Sequence, residues 1–277
     1  MRGNRSLRKA LQIITNSNCF LDIVGDIAIV KVPPALELKK QIIAEAIMAV
    51  NRHVRTVLNQ VSSVSGEFRL RNLEWVAGEE KTETTCREYD CAFKVNLSEA
   101  YFSQRLSFER MRIAKLVRNG EIVMNMFAGV GCFSIVIAKH SKARKVYSID
   151  INPRAVELMK KNIALNKLER GVEAVIGDAK EVIGKRFRDT SNRVLMPLPA
   201  KAYEYLDSAC LTLKSEGGFV HYYDFIYARK KEDAINKVTE KVRKKLTSLG
   251  KDFEVLFSRV VRTVGPNWNQ VVLDINI

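Results

Sequence analysis

Glu121-Ile122-Val123-Met124-Asn125-Met126-Phe127-Ala128-Gly129-Val130-Gly131, then a helix-spaced run, then Arg144-Lys145-Val146-Tyr147-Ser148-Ile149-Asp150, is the stretch that decides the fold of this chain. An apolar strand runs into a glycine turn, a helix follows, and a second strand closes on an acid. That is one βαβ half of a nucleotide-binding sheet: the glycines let backbone approach a ligand, and the acid can accept hydrogen bonds from a ribose.

Working outward, a regular alternation follows Gly120. Strands are expected at 121–128, 145–151, 172–177, 193–196 and 218–224, and helices at 131–139, 153–166, 179–185 and 200–214. A long basic helix over 230–249 comes next, then strands at 253–264 and 270–277 joined by Gly265-Pro266-Asn267. Alternating units imply a parallel sheet with helices on both faces, and the short final turn forces its two strands to pair antiparallel. This arrangement resembles the Rossmann-like methyltransferase fold: α/β, mostly parallel, with an antiparallel last strand.

Before it lies a smaller α+β module. Residues 20–32 read as two short strands turning at Gly25-Asp26, ended by Pro33-Pro34, since proline cannot donate to a ladder. Helical spacing runs over 36–58, strands are expected at 67–76 and 91–97, and 77–87 reads as turn. A helix from Ser107 to about Val117 stops at Asn119-Gly120. The expected domains are 1–112 and 113–277.

At 277 residues, 47% hydrophobic and 28% charged, the chain has ample core and is not disordered. A net charge of +15 is unusual for a small-metabolite enzyme and favours a polyanionic partner such as nucleic acid. Five scattered cysteines with no C-x-x-C pair, and three histidines, argue against zinc and for reduced thiols. The apolar stretch Leu11 to Ile14 is too short for a signal peptide, and no run reaches membrane-spanning length. A cytoplasmic protein with no metal is expected.

The glycine turn alone does not choose a cofactor. Ser134 stands where a nicotinamide fingerprint would have its third glycine. Asp150 can bind both hydroxyls of a ribose, in Asp150-Ile151-Asn152-Pro153, and Asp178 at the end of the third strand can meet an adenine amino group. Met196-Pro197-Leu198-Pro199 ends the fourth strand beside the crevice. Each acid could instead be a helix cap, but together they favour S-adenosylmethionine over a dinucleotide, with a nicotinamide dehydrogenase as the competitor. The cofactor set is then Phe127, Ala128, Gly129, Gly131, Asp150, Ile151, Asn152, Asp178, Ala179 and Pro197.

Several phrases complete the picture: Asp22-Ile23-Val24-Gly25-Asp26-Ile27-Ala28, Phe68-Arg69-Leu70-Arg71 with Glu74 and Ala77-Gly78-Glu79, Tyr101-Phe102-Ser103 with Arg105-Leu106, and Glu109-Arg110. With the glycine turn and Asp150-Ile151-Asn152-Pro153, they resemble the archaeal and eukaryotic tRNA (guanine-37-N1)-methyltransferases and the related wyosine-pathway transferases. The likeness runs from about Phe20 to Ile277. It implies Glu109 as the general base for guanine N1, Arg69 as the cation at O6 with Arg71 in reserve, and Tyr101 and Arg110 as cofactor contacts. Read without the likeness, Glu109 is a helix salt bridge to Arg105 or Arg112, Arg69 a solvated strand residue, and Tyr101 core packing.

One departure matters. Most guanine-37 members of the family it resembles carry Asn-Leu-Pro where this chain has Pro197-Leu198-Pro199, so the amide is gone and Pro197 and Pro199 make the substrate side more apolar. That leaves two acceptors open at tRNA position 37: guanine N1, and C7 of the tricyclic wyosine precursor, alone or in one bifunctional enzyme. A non-catalytic RNA-binding protein is the alternative of another class. Basic surfaces for the tRNA are expected at Arg2, Arg5, Arg8 and Lys9, at Arg52–Arg55, at Lys185, Arg186 and Arg188, and along 230–245. Members of the family often carry a further N-terminal domain; the roughly twenty residues before Phe20 are not expected to hold it, which should weaken tRNA capture or make the enzyme rely more on the anticodon stem. No protein partner is implied, and a monomer is expected.

Overall fold

The computed structural model describes residues 20–277, so the basic N-terminal positions Arg2, Arg5, Arg8 and Lys9 lie outside the described residues. Two compact units divide between Ser107 and Phe108. The break expected after residue 112 falls within the helix Ser107–Leu116.

In the first unit, β1 (Phe20–Val24) and β2 (Ile27–Lys31) form the expected hairpin. Gly25 turns it at φ +56°, and a Cβ there would meet Thr84 Oγ1 at 2.2 Å, so both conformation and space demand glycine. The helix expected over 36–58 is shorter. A 3-10 turn, Pro34–Lys39, leads into α1 (Lys40–Val50), which ends before β3 (Thr56–Gln60). β3 pairs parallel with β2 and antiparallel with β4 (Leu73–Gly78). Thr56, Val57, Leu58 and Asn59 are all buried. A strand buried on both faces has no alternation to betray it, and its apolar run was absorbed into the helix period. Ile43, Ala44 and Ile47 of α1 pack with Val30, Val57 and Val76 in this unit's core.

The segment 77–87, expected as turn, contains β5 (Glu83–Glu88), which pairs with β6 (Cys91–Asn96). Its polar residues obscured a strand in which Thr84 and Cys86 alternate inward. The strand expected at 67–76 begins only at Leu73; before it, a tight loop is closed by Ser65 and Leu70 across a single bridge.

The second unit opens with α2 (Ser107–Leu116) and continues β7 (Ile122–Asn125), α3 (Cys132–His140), β8 (Lys145–Asp150), α4 (Pro153–Leu165), β9 (Val172–Ile176), α5 (Ala179–Arg186) and β10 (Arg193–Met196). It closes with α6 (Leu206–Thr212), β11 (Phe219–Tyr227), α7 (Ala234–Ser248), β12 (Glu254–Gly265) and β13 (Trp268–Asn276). The sheet order is β9-β8-β7-β10-β11-β13-β12. The first five are parallel; β13 runs antiparallel between β11 and β12. This is the Rossmann-like sheet that the alternation implied.

Two helices are shorter than expected. The segment 200–214 is a 3-10 turn, Ala202–Tyr205, followed by the seven-residue α6. The helix expected from 230 starts at Ala234, because the Asp233 side chain accepts from the Ile235 and Asn236 N–H groups and caps it there. Val238, Val242 and Leu246 then bury one stripe of α7 against Val271, Leu273 and Ile275 of β13. From β7 the chain moves outward to β8 and β9, then returns to β10 on the other side. Ligands of open α/β sheets bind at such a reversal, outside the strand carboxyl ends.

Candidate active site

The turn after β7 is bound on three sides. Ala128 N–H donates to Ile149 O at 2.8 Å, and the Asn162 side chain donates to Val130 O at 3.0 Å. Gly129 N–H donates to Asp150 Oδ2 at 2.6 Å. Gly131 has φ +90°, and a Cβ there would meet Met159 Cγ at 2.8 Å and Ile135 Cδ1 at 3.3 Å. Its freedom serves the left-handed turn and the packing of α4.

Asp150 stands at the end of β8. Oδ1 accepts from Asn152 N–H at 2.9 Å, so each oxygen holds a backbone N–H. Burial pushes this carboxyl above its ordinary value, and the Asn152, Gly129 and Ile151 N–H groups offset part of that rise. A carboxylate has about four acceptor sites, so these bonds leave acceptor capacity for a ligand hydroxyl. Asn152 is buried, and its side chain caps α4 by accepting from Arg154 N–H at 3.0 Å. Pro153 takes the first helical position. Ile151 is exposed beside them.

Asp178 caps α5, with Oδ1 accepting from Lys180 N–H at 2.8 Å and Glu181 N–H at 3.4 Å. Tyr205 donates its hydroxyl to Oδ2, and its ring meets Phe127 edge-on at 5.1 Å between centroids. Tyr205 thus joins the glycine turn to Asp178. Sequence reasoning missed it, because nothing marks one aromatic in a segment read as helix. Ala179 is buried at the start of α5; Pro197 is half-buried directly after β10, and Pro199 is buried.

Glu109 on α2 is 1% exposed and surrounded by donors. Oε2 accepts from Tyr223 Oη at 2.8 Å, Arg112 Nη2 at 3.0 Å and Arg112 Nε at 3.1 Å. Arg259 Nη2 donates to Oε1. The helix salt bridge weighed as the plain alternative is therefore present, through Arg112. Arg112 also forks onto Asp274, Nη1 to Oδ2 at 2.5 Å and Nη2 to Oδ1 at 3.2 Å.

Behind this pair the buried polar chain continues. His221 Nδ1 lies 2.6 Å from Asp274 Oδ1, and His221 Nε2 lies 2.8 Å from Arg193 Nη1. Arginine can only donate, so Nε2 accepts and Nδ1 carries the proton. Burial pushes His221 below its ordinary value. Burial opposes ionisation of Asp274, yet the His221 bond and the Arg112 guanidinium hold it down to about 2. Arg193 is locked onto Glu121 by bonds of 2.7 and 3.0 Å. No sequence signal singles out Tyr223, Arg259 or Asp274: they come from strands far along the chain and touch Glu109 or its partner only through the fold. Arg110 is buried next to Glu109, its guanidinium 5.9 Å from the Phe133 ring centroid.

In the first unit, Arg69 is not a strand residue. It sits in the loop closed by Ser65 and Leu70, with a left-handed φ of +54°. A non-glycine residue there costs roughly 1–2 kcal/mol, which the surrounding loop must offset. Its guanidinium lies 5.5 Å from the Tyr101 ring centroid. Arg71 Nη1 donates to Gln60 Oε1 at 3.1 Å, and burial lowers its pKa from the ordinary value. Arg69, Arg71, Tyr101 and Phe102 line one small cleft.

The basic surfaces are partly neutralised. Lys241 pairs with Asp224 at 2.7 Å, Lys237 with Glu232 at 2.8 Å, Arg243 with Glu240 at 3.2 Å, and Arg186 with Glu173 at 2.5 Å. Among the described residues, no helix is long and apolar enough to cross a membrane.

Comparison with known proteins places this architecture. The family described as the TRM5/TYW2 methyltransferase domain matches residues 84–256, and the TYW2 N-terminal domain matches 20–82. The tRNA (guanine(37)-N(1))-methyltransferase Trm5b of Pyrococcus abyssi is 38% identical over 256 residues, covering 92% of this chain and 74% of that protein. The tRNA 4-demethylwyosine(37)-methyltransferase Taw21 of Saccharolobus solfataricus is 34% identical, covering 92% of each. The structure of Methanocaldococcus jannaschii Trm5 in complex with adenosine superposes with a TM-score of 0.77 at 33% identity, over 97% of this chain and 77% of that one. The chain belongs to the TRM5/TYW2 methyltransferase family.

Proposed function

We propose that this protein is an S-adenosylmethionine-dependent tRNA methyltransferase acting on guanine N1 at position 37. The observation that carries the reading is the glycine turn at the sheet's reversal, with Asp150 holding Gly129 and keeping acceptor sites for a ribose diol. When bound, the cofactor supplies an electrophilic sulfonium methyl group. Asp150 orients the ribose, Phe127 and Ile151 offer apolar surface to the base, and the loop at Asp178 and Ala179 borders it. Tyr101, Arg110, Ala128, Gly129, Gly131, Asn152 and Pro197 complete this cofactor set.

Guanine N1 is a poor nucleophile until its proton leaves. Glu109 takes that proton, and Arg69 stabilises the negative charge that develops on O6, with Arg71 the reserve for that role. The rest of catalysis is orientation. The net charge of +15 suits the tRNA, and reduced, scattered cysteines suit the cytoplasm. The enzyme acts as a monomer.

A second reading has its own observation: Pro197 in place of an amide makes the acceptor side apolar, which suits C7 of 4-demethylwyosine at the same position. Incubating the enzyme with unmodified tRNA and with precursor-bearing tRNA, followed by nucleoside mass spectrometry, separates the two. Product at N1 only supports the first reading, product at C7 only replaces it with the second, and both products mean a bifunctional enzyme. Absence of S-adenosylmethionine binding in calorimetry would leave a non-catalytic RNA-binding protein.

A further inference from the structure

A base that must accept a proton needs a lone pair, and Glu109 has none to spare. Tyr223 and the two Arg112 nitrogens occupy Oε2; Arg259, with a longer Arg112 Nε contact of 3.3 Å, occupies Oε1. About four acceptor sites are thereby filled. We propose that Arg259 is an exchangeable occupant of Oε1, displaced when the acceptor base enters, while Arg112, anchored by Asp274, is the fixed positioning residue for Glu109. This rests on the functional reading above, in which Glu109 takes the N1 proton.

The two arginines differ in how they are held. The Arg112 side chain is 14% exposed and makes a forked pair with Asp274, itself fastened through His221 and Arg193 to Glu121. Those partners lie on β10, β11 and β13 inside the sheet or just before β7. Loosening Arg112 would strand several buried polar groups at once. Arg259 stands on the edge strand β12, with a side chain 32% exposed. Its Nε is buried with no hydrogen-bond partner among the described residues, and its guanidinium lies 4.8 Å from the ring centroid of the exposed Phe108. Only its one contact with Oε1 ties it to the carboxylate.

The chemistry also requires one occupant to leave. In the proton transfer the N1–H bond breaks and an O–H bond forms on Oε1, while the N–H electron pair stays on N1 to bond the methyl carbon. A protonated Oε1 loses its charge and is left a poor acceptor for Arg259, which never gives up its own proton at neutral pH. Arg259 and the N1 proton therefore compete for the same lone pair. Tyr223 stays protonated, since burial first and the Glu109 charge second push its hydroxyl well above the usual phenol value. The groups that face Glu109 are thus Arg112 from α2, Tyr223 from β11 and Arg259 from β12, with Asp274 of β13 behind Arg112.

Single-turnover methyl transfer to unmodified tRNA, followed across pH with the full-length enzyme, tests the division. Arg259→Gln removes one cation from the carboxylate, so the acid limb of the profile moves up by roughly one pH unit, and the plateau falls by less than about tenfold. Arg112→Gln misplaces the base, and the plateau falls by about a hundredfold with S-adenosylmethionine affinity in calorimetry unchanged. Asp274→Asn, which keeps size and one oxygen, gives a smaller plateau loss in the same direction should Arg112→Gln not fold. An Arg259→Gln plateau as low as that of Glu109→Gln, with the acid limb unmoved, would overturn the proposal. So would a folded Asp274→Asn enzyme with the wild-type profile. A Glu109→Gln enzyme at the wild-type rate removes the functional reading itself, a result that neither of the other two outcomes would give.

Discussion

Replacing Gly131 by alanine separates two uses of a glycine turn. Gly131 sits at φ +90°, where an L side chain costs roughly 1–2 kcal/mol. The new Cβ would lie 2.8 Å from Met159 Cγ in a fully buried site, an overpacking cost of about 1–3 kcal/mol. Reduced freedom of the unfolded chain returns about 0.4–1 kcal/mol. The net loss is about 2–4 kcal/mol, which for a unit of this size lowers Tm by roughly 5–15 °C. Thermal unfolding without cofactor reads the loss directly, and added S-adenosylmethionine should raise wild type and variant alike. A cycle with Met159→Ala should recover about 1–2 kcal/mol of coupling, the overpacking part alone. A Gly131→Ala protein with the wild-type Tm would refute this account.

Other expectations follow from the same structure. His221 is held below its ordinary value in the fold, so the unfolded chain binds the extra proton first; its contribution is full above about pH 6.5 and is lost as pH falls, by up to about 1.4 kcal/mol per unit. Denaturant midpoints between pH 7 and 5 check this, and His221→Gln should flatten the slope. Asp274, held at about 2, adds a second loss between about pH 4 and 2. Arg193→Ala strands Glu121 and His221 and should cost about 3–5 kcal/mol, measured by urea unfolding. Asp178→Ala removes the α5 cap and the Tyr205 partner, lowering stability by about 1 kcal/mol and weakening cofactor binding in calorimetry. Pro197→Asn restores an amide at the acceptor side and should raise N1 product relative to C7 product in nucleoside mass spectrometry.

The second unit was legible because its alternation of strands and helices is regular and its turns carry Gly, Asp and Pro at element ends. Asp150 announced itself by its position at the end of a strand; the Asp233 cap did not, and the basic helix was expected to start at 230. The first unit was less so. β3 is buried on both faces and lacks a period of two, while β5 is polar enough to pass for a turn. Arg69 was read as a strand residue although it occupies a left-handed loop position, which no residue type other than glycine signals. Asp178 was singled out and its capping of a helix was among the readings weighed, but its bond to Tyr205 depends on a ring 27 residues away. Of the company of Glu109, Arg112 three residues on was legible; Tyr223, Arg259 and Asp274 were not, because long-range pairs leave no local pattern.

That company has a consequence for how the protein comes into being. Arg112 and Asp274 are separated by 162 residues, and Glu109 and Arg259 by 150. Contacts so distant in sequence close large loops and form late in folding. β13, which brings Asp274, lies between β11 and β12 and pairs with both. The first and last segments of the second unit must therefore meet before the carboxylate is aligned. Catalytic competence should emerge in one slow, cooperative step, with no partly folded species able to turn over.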